Sequence, residues 1–156
     1  EALLVADGGN RLKAIAALLP FYGVDPEEIK ILGTGQWDEP EIGKEPALVG
    51  AWFAAPSPNS RILFEKEYRK VFGDPPPRLA TLAYDATALA AILANKKGER
   101  VFNYKTLTNP SGFMGRDGIF RLMSDGTTDR GLAILEVGPD KNRVISPAPK
   151  TFKKLR

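Results

Sequence analysis

The sequence predicts an α/β fold in which parallel β-α-β units come first and an antiparallel ribbon comes last. Three observations carry this. Residues 2–6 (ALLVA) form a continuous apolar run that empties into Asp7-Gly8-Gly9-Asn10 and then into a helical pattern. The spacing to the next apolar run is strand, helix, strand, a crossover that is right-handed by rule. From residue 118 onward the pattern changes to short apolar segments parted by Asp-Gly and Gly-Pro turns.

Each element has its own justification. An all-apolar strand at 2–6 reads as buried on both faces, as in parallel sheets. Such a strand needs neighbours on either side, so the chain reads as the back part of a larger α/β protein. A helix is expected over 10–22, with Asn10 as N-cap and Leu12, Ile15, Ala16 and Leu19 on one face. Pro20 loosens its last turn and Gly23 suits the position after it. A strand follows at 30–33 and runs into Thr34-Gly35-Gln36-Trp37. Residues 38–46 hold two prolines and read as loop or one short turn. A third apolar strand is expected at 47–55, stopped by Pro56-Ser57-Pro58.

The next helix, over 59–72, carries an apolar stripe of Ile62, Leu63, Tyr68, Val71 and Phe72. Glu65, Lys66, Glu67, Arg69 and Lys70 form its wet side. Gly73-Asp74 and three prolines end it. The helix over 78–95 is alanine-rich and apolar nearly all round, which predicts burial on several sides; Lys96-Lys97-Gly98 ends it. A short helix is a candidate over 103–107, and Asn109-Pro110-Ser111-Gly112 is a turn. Strands are expected at 118–122 and 132–137, with Arg143-Val144-Ile145 a candidate to pair alongside. Asp125-Gly126 and Gly138-Pro139-Asp140 make the turns between them.

Composition narrows the chemistry. A chain of 156 residues with 43% hydrophobic and 26% charged residues is ordinary for a globular protein. Its net charge of +3 is too weak a bias to argue for nucleic acid, and the one basic cluster (Lys150, Lys153, Lys154, Arg156) reads as a solvated tail. The absence of cysteine removes disulfides and thiol chemistry. With no histidine, the commonest general base and catalytic-zinc ligand are gone too. The sequence shows no signal-peptide pattern and no apolar run long enough to span a membrane.

Two loops are candidate binding elements. Asp7, Gly8, Gly9 and Asn10 follow a strand and open a helix, where open α/β sheets bind ligands; two glycines also simply permit a tight turn. The loop has neither the dinucleotide fingerprint nor the P-loop pattern, so no cofactor is assigned. Thr34, Gln36 and Trp37 end the next strand and point to the same side. Trp37 either stacks on a ligand or packs on the loop at 38–46, with Thr34 and Gln36 as hydrogen-bonding groups. Tyr84 and Asp85 interrupt the alanine-rich helix. A buried carboxylate must be paired or hydrogen-bonded, so Asp85 caps a neighbouring loop, pairs with Arg116 or Arg121, or faces a cleft, and Tyr84 beside it is a candidate ligand contact. Arg116-Asp117-Gly118 reads as turn chemistry. Asp125 to Gly131 lacks the alternating ligands of a calcium loop, and no metal is assigned.

The runs LLVADGG, ILGTGQW, LVGAWFAAP, FEKEYRKVFGDPP, LAYDATALAAIL and GFMGRDGIFRLMSDG, in that order, resemble the C-terminal part of type I periplasmic solute-binding proteins. These are the leucine/isoleucine/valine-receptor class of ABC uptake systems, and the details look closest to the lipoprotein branch of penicillin-binding-protein activators. The resemblance implies three-layer β-α-β lobes, present here as a C-terminal fragment that closes with an antiparallel ribbon. Residues 1–54 would belong to the second lobe, 55–124 to the first, and 125–156 would return to the second. It also implies a periplasmic location, a lipid anchor in the full-length parent, and a ligand held in the cleft between lobes. In amino-acid receptors of this class an acidic residue holds the ligand ammonium. The approximately aligned position here is Gly35, with Asp38 and Glu39 further along, which puts amino-acid binding in doubt.

The leading expectation is a non-catalytic receptor domain that closes by hinge motion on a small polar molecule, with an ABC permease as partner. The alternative within the same fold is a regulator that binds a peptidoglycan synthase. An α/β enzyme using Asp7 and Asp85 as acid and base, and the effector domain of a transcription regulator, are the readings from other classes. An unpaired sheet edge predicts a homodimer, or capture of a further segment.

Overall fold

Fifty-five N-terminal residues and a later stretch, 133–147, make one compact unit, and 56–132 with 148–156 make the other. The chain therefore passes between units at Ala55/Pro56, Leu132/Ala133 and Pro147/Ala148. The computed structural model describes residues 1–39, 41–95 and 102–152. The helix stop at Lys96-Lys97-Gly98 and the basic residues Lys153, Lys154 and Arg156 lie outside the described residues, as does Pro40.

Unit 1 is built on a five-stranded sheet of order β1-β2-β3-β7-β8. Its strands are β1 (Ala2–Val5), β2 (Lys30–Gly33), β3 (Trp52–Ala55), β7 (Ala133–Glu136) and β8 (Arg143–Ser146). β1, β2 and β3 run parallel, and β7 and β8 add on antiparallel. Parallel units first and antiparallel ribbon last is thus the observed plan. Register places Val5, Gly33, Phe53 and Leu135 on one face and Leu4, Leu32, Trp52 and Glu136 on the other. The first face is the core: Val5, Ile31, Phe53, Ala55, Ala133 and Leu135 are buried, as are Leu12 and Ala16 of the helix α1 (Gly9–Leu18) and Leu19, its C-cap. Each buried Val, Leu, Ile or Phe among them stabilises the fold by about 1.5–3 kcal/mol.

The other face differs from expectation. Leu4 is 64% exposed and Trp52 38%, so β1 is not buried on both faces. It is an edge strand whose one strand partner in the sheet is β2. Helix α1 begins one residue earlier than Asn10 and stops at Leu18, since Pro20 cannot continue it. Gly8, not Asn10, is its N-cap, and no side chain caps it. Between β2 and β3 the chain makes 3₁₀ turns at Gly35–Trp37, Ile42–Lys44 and Pro46–Leu48. The third strand is accordingly shorter than 47–55: Pro46 opens a 3₁₀ turn and Gly50, at φ +86°, reverses the chain before Trp52.

Unit 2 holds α2 (Pro58–Phe72), α3 (Ala80–Ala94), α4 (Tyr104–Leu107) and a three-stranded antiparallel sheet, β4 (Phe113–Gly115), β5 (Gly118–Leu122) and β6 (Thr128–Arg130). Residues 125–132, expected in the returning segment, lie in this unit because β6 pairs with β5. Residues 148–152 lie here too, where Phe152 packs against Gly112 and under Arg121. Two expectations about the helices fail. The α2 stripe of Ile62, Leu63, Val71 and Phe72 is exposed, and Phe64 is the buried residue. On α3 only Thr81, Asp85 and Leu93 are buried. A helix apolar all round needs neighbours on every side, and one small sheet with α2 and the four-residue α4 cannot supply them within this unit.

Candidate functional site

The loops that follow β1 and β2 meet at the carboxyl ends of their strands. Two contacts join them. The Trp37 indole Nε1 donates to the Asp7 carbonyl at 3.0 Å. A Cβ placed on Gly8 would lie 2.8 Å from Gln36 Cβ and 3.2 Å from its carbonyl oxygen, so only glycine lets the two loops approach this closely. Gly33 admits Trp37 in the same way: a Cβ there would run into the indole ring. The ring also lies against Phe53, at 6.4 Å between centroids.

This geometry decides the role of Trp37. The residue has no exposed surface, so its ring is a wedge over Gly33 and Phe53, and it packs on the strands and the Asp7 loop rather than stacking on a ligand. Thr34 Oγ1 accepts from the Gln36 main-chain N–H at 3.4 Å and starts the 3₁₀ turn. Gln36 and Asn10 are exposed, and Asp7, Gly8, Gly9 and Thr34 are half-buried. The side chains of Asp7, Asn10 and Gln36 make no hydrogen bond to a described residue. Gly8 brings no capping side chain to α1, and no acidic residue stands in its first turn. Main-chain donors are thus left open beside an unpaired carboxylate, amide groups and a hydroxyl.

Glu39, which lies beyond the Gly35 position and could take an acidic role there only if the loop bends, joins this arrangement. Its N–H donates to the Trp37 carbonyl at 2.8 Å, and its Oε1 comes within 3.9 Å of a Cβ placed on Gly9. The loop bends so that this carboxylate returns toward the glycines.

Tyr84 lies apart from this cluster in sequence and belongs to unit 2. It is 45% exposed, packs edge-on against Phe64 at 5.6 Å, and meets Arg116 Nη2 through its hydroxyl at 3.1 Å. Arg116 also stacks over the Tyr84 ring and pairs with Glu67 at 3.0 Å. The Tyr84 hydrogen bond is the main reason its guanidinium pKa is raised. Asp85 is buried, and its Oδ1 accepts the Arg116 main-chain N–H at 2.7 Å. The carboxylate therefore caps a loop; neither arginine side chain is its hydrogen-bonded partner, since Arg121 pairs with Asp129 at 2.7 Å. Asp117 is more than turn chemistry. It is buried, accepts from Thr81 Oγ1 at 2.7 Å and faces Arg78 at 3.5 Å, tying β5's approach to the first turn of α3. Thirty-six residues separate Asp117 from Thr81, so no local pattern announces the pair.

Among the described residues no group of His, Cys, Asp and Glu could hold a metal ion. No helix among them is long and apolar enough to cross a membrane.

No family model and no curated protein matches the sequence. Solved structures do match in fold. A Rhodospirillum rubrum protein assigned to a branched-chain amino acid ABC transporter superposes with TM-score 0.73 at 21% identity, over 92% of this chain and 44% of its own. The substrate-binding protein LivJ of Streptococcus pneumoniae, solved with isoleucine, gives 0.58 at 21%, over 94% and 44%. LpoA of Haemophilus influenzae gives 0.60 at 12%, over 93% and 26%. The chain thus has the type I periplasmic-binding-protein fold that its motifs resembled, and it spans less than half the length of these proteins.

Proposed function

We propose that the chain is a non-catalytic ligand-binding part of a two-lobed extracytoplasmic receptor, with the strand-end loops 7–10 and 34–39 as its binding surface for a small polar solute. Unit 1 is assigned to the second lobe and unit 2 to the first. One observation supports this above others: Trp37 locks the two loops together at the carboxyl ends of parallel strands while Asn10, Gln36 and the first amides of α1 stay open to a ligand. Ligands favour such ends because helix N–H groups there are unsatisfied and oriented. Asp7 and Glu39 add negative charge beside these donors, which suits a solute with both donor and acceptor groups. Hinge motion at the three inter-unit passages would convert binding into a change of state. A periplasmic location and an ABC permease as downstream partner belong to the same reading. In unit 2, Tyr84 stands by itself as a candidate contact.

The experiment is a thermal-shift panel of amino acids, amides and short peptides on the chain. At least one solute is expected to raise the midpoint, and Gln36→Ala or Asn10→Ala to reduce that rise. If no solute moves the midpoint while an immobilised peptidoglycan synthase retains the chain, the protein-binding reading replaces this one. An enzyme using Asp7 would instead show turnover that Asp7→Asn abolishes.

A further inference from the structure

We infer that the turn between β7 and β8 is the seat of the loop that carries Glu39, and that Gly43 and Gly138 are positioning residues that hold the Glu39 carboxylate against the start of α1. The inference rests on the reading of loops 7–10 and 34–39 as a binding surface, and it names what fixes one of that surface's charges.

The seat is made of main chain on both sides. The Gly50 N–H donates to the Val137 carbonyl at 2.8 Å, and the Val137 N–H donates to the Ala51 carbonyl at 2.9 Å. Next to these bonds in sequence, a Cβ placed on Gly43 would run into the Gly138 carbonyl oxygen and lie 2.7 Å from that of Pro139. Backbone carbonyls cannot swing aside as the end of a flexible side chain can. The 3₁₀ turn at Ile42–Lys44 therefore rests on the ribbon because residue 43 has no side chain. Gly138 is held in the same way: a Cβ there would run into the Lys141 carbonyl. Ile42, Leu48, Ala51 and Val137 of these segments are all buried, so the contact belongs to the interior of unit 1.

From the seat the constraint reaches Glu39 through the main chain. The Ile42 N–H donates to the Glu39 carbonyl at 3.4 Å, and the Glu39 N–H donates to the carbonyl of the buried Trp37 at 2.8 Å. Glu39 is thus held at both main-chain groups, by the tryptophan on one side and by the seated turn on the other. Its Oε1 stands 3.9 Å from a Cβ placed on Gly9, beside the open N–H groups that begin α1. A negative charge is favoured there by the helix dipole, and α1 has no acidic residue in its own first turn. Lifting the seated turn draws the Glu39 carbonyl away while Trp37 stays in place, and the side chain swings off Gly9.

Amide chemical shifts of the full chain, recorded with no solute added, test this. Glu39→Gln removes the charge and should move the Gly9 amide of the parent. In Gly43→Ala the same substitution should move Gly9 by about a third as much or less, and the Ile42 amide should exchange about tenfold faster or more. Gly138→Ala reshapes the seat from the ribbon side; it should weaken the Gly9 response likewise and decides the matter if Gly43→Ala fails to fold. Lys44→Ala lies on the same turn and removes only the exposed ion pair with Glu41, so it should leave the full Gly9 response, which a general loosening of the loop would not. Three results overturn the inference: a parent whose Gly9 amide ignores Glu39→Gln, a folded Gly43→Ala or Gly138→Ala chain that keeps the full response, or a Lys44→Ala chain that loses it. Because no solute takes part, the result is separate from that of the thermal-shift panel, whose failure would remove the binding reading and leave the seat standing.

Discussion

The Trp37 indole donates to the Asp7 carbonyl at 3.0 Å across thirty residues of sequence. That bond ties the loop after the first strand to the loop after the second, and it makes a buried tryptophan the structural support of the candidate surface. Trp37→Phe keeps the ring over Gly33 and loses the bond, so it should cost about 0.5–1.5 kcal/mol. Trp37→Ala also leaves a cavity and should cost about 3–5 kcal/mol. Urea denaturation of both variants measures the difference; a Trp37→Phe chain as stable as the parent would mean the hydrogen bond contributes nothing beyond packing.

Gly33 is the second half of that support. Gly33→Ala puts a methyl into the indole, and overpacking of this kind costs about 1–3 kcal/mol or more. The near-ultraviolet circular dichroism of tryptophan should change with it. An unchanged spectrum and stability would show that Trp37 sits elsewhere in solution.

In unit 2 the Asp85 carboxylate accepts the Arg116 main-chain N–H at 2.7 Å. Asp85→Ala leaves that donor without its acceptor and should cost about 1–3 kcal/mol. Asp85→Asn keeps an acceptor oxygen and should cost less. If alanine and asparagine destabilise equally, the charge rather than the cap is what the site needs.

Glu136 gives the acid limb of stability a local cause. Hydrogen bonds from the Trp52 indole at 3.2 Å and Arg143 at 2.8 Å hold its carboxyl below the ordinary 4.5. A folded pKa below the unfolded one stabilises the fold above the unfolded value, and that contribution is lost as pH falls through the folded value. Glu136→Gln should therefore flatten the loss of stability from pH 4.5 downward and leave the curve above it parallel to the parent's. A variant with an equally steep acid limb would assign that limb to other carboxylates.

What the sequence showed and what it hid divide along physical lines. Strand 30–33 and strand 118–122 were read at their observed bounds, because a short β-rich apolar run between turn residues is a local signal. The short helix after residue 103 was equally visible, and the structure adds its cap, the Asn103 Oδ1 accepting the Thr106 N–H at 2.9 Å. β4 and β6, at three residues each, are too short for any period to show. The candidate loops were found because they follow strands. Trp37 was left between ligand and packing, since only the contact with Gly33 distinguishes the two. Burial was the weakest reading: the apolar runs of β1, α2 and α3 say which residues can be buried, and exposed Leu4, Ile62 and Val71 show that neighbours decide whether they are.

Amide chemical-shift mapping with the strongest solute from the thermal-shift panel tests the central claim most directly. The account predicts that the largest shifts in unit 1 fall on Gly8, Gly9, Asn10, Gly35 and Gln36, with the Trp37 indole N–H moving through its bond to Asp7. Saturable shifts in unit 1 that leave these loops unmoved, and fall instead on the Leu4–Trp52 face of the sheet, would contradict it.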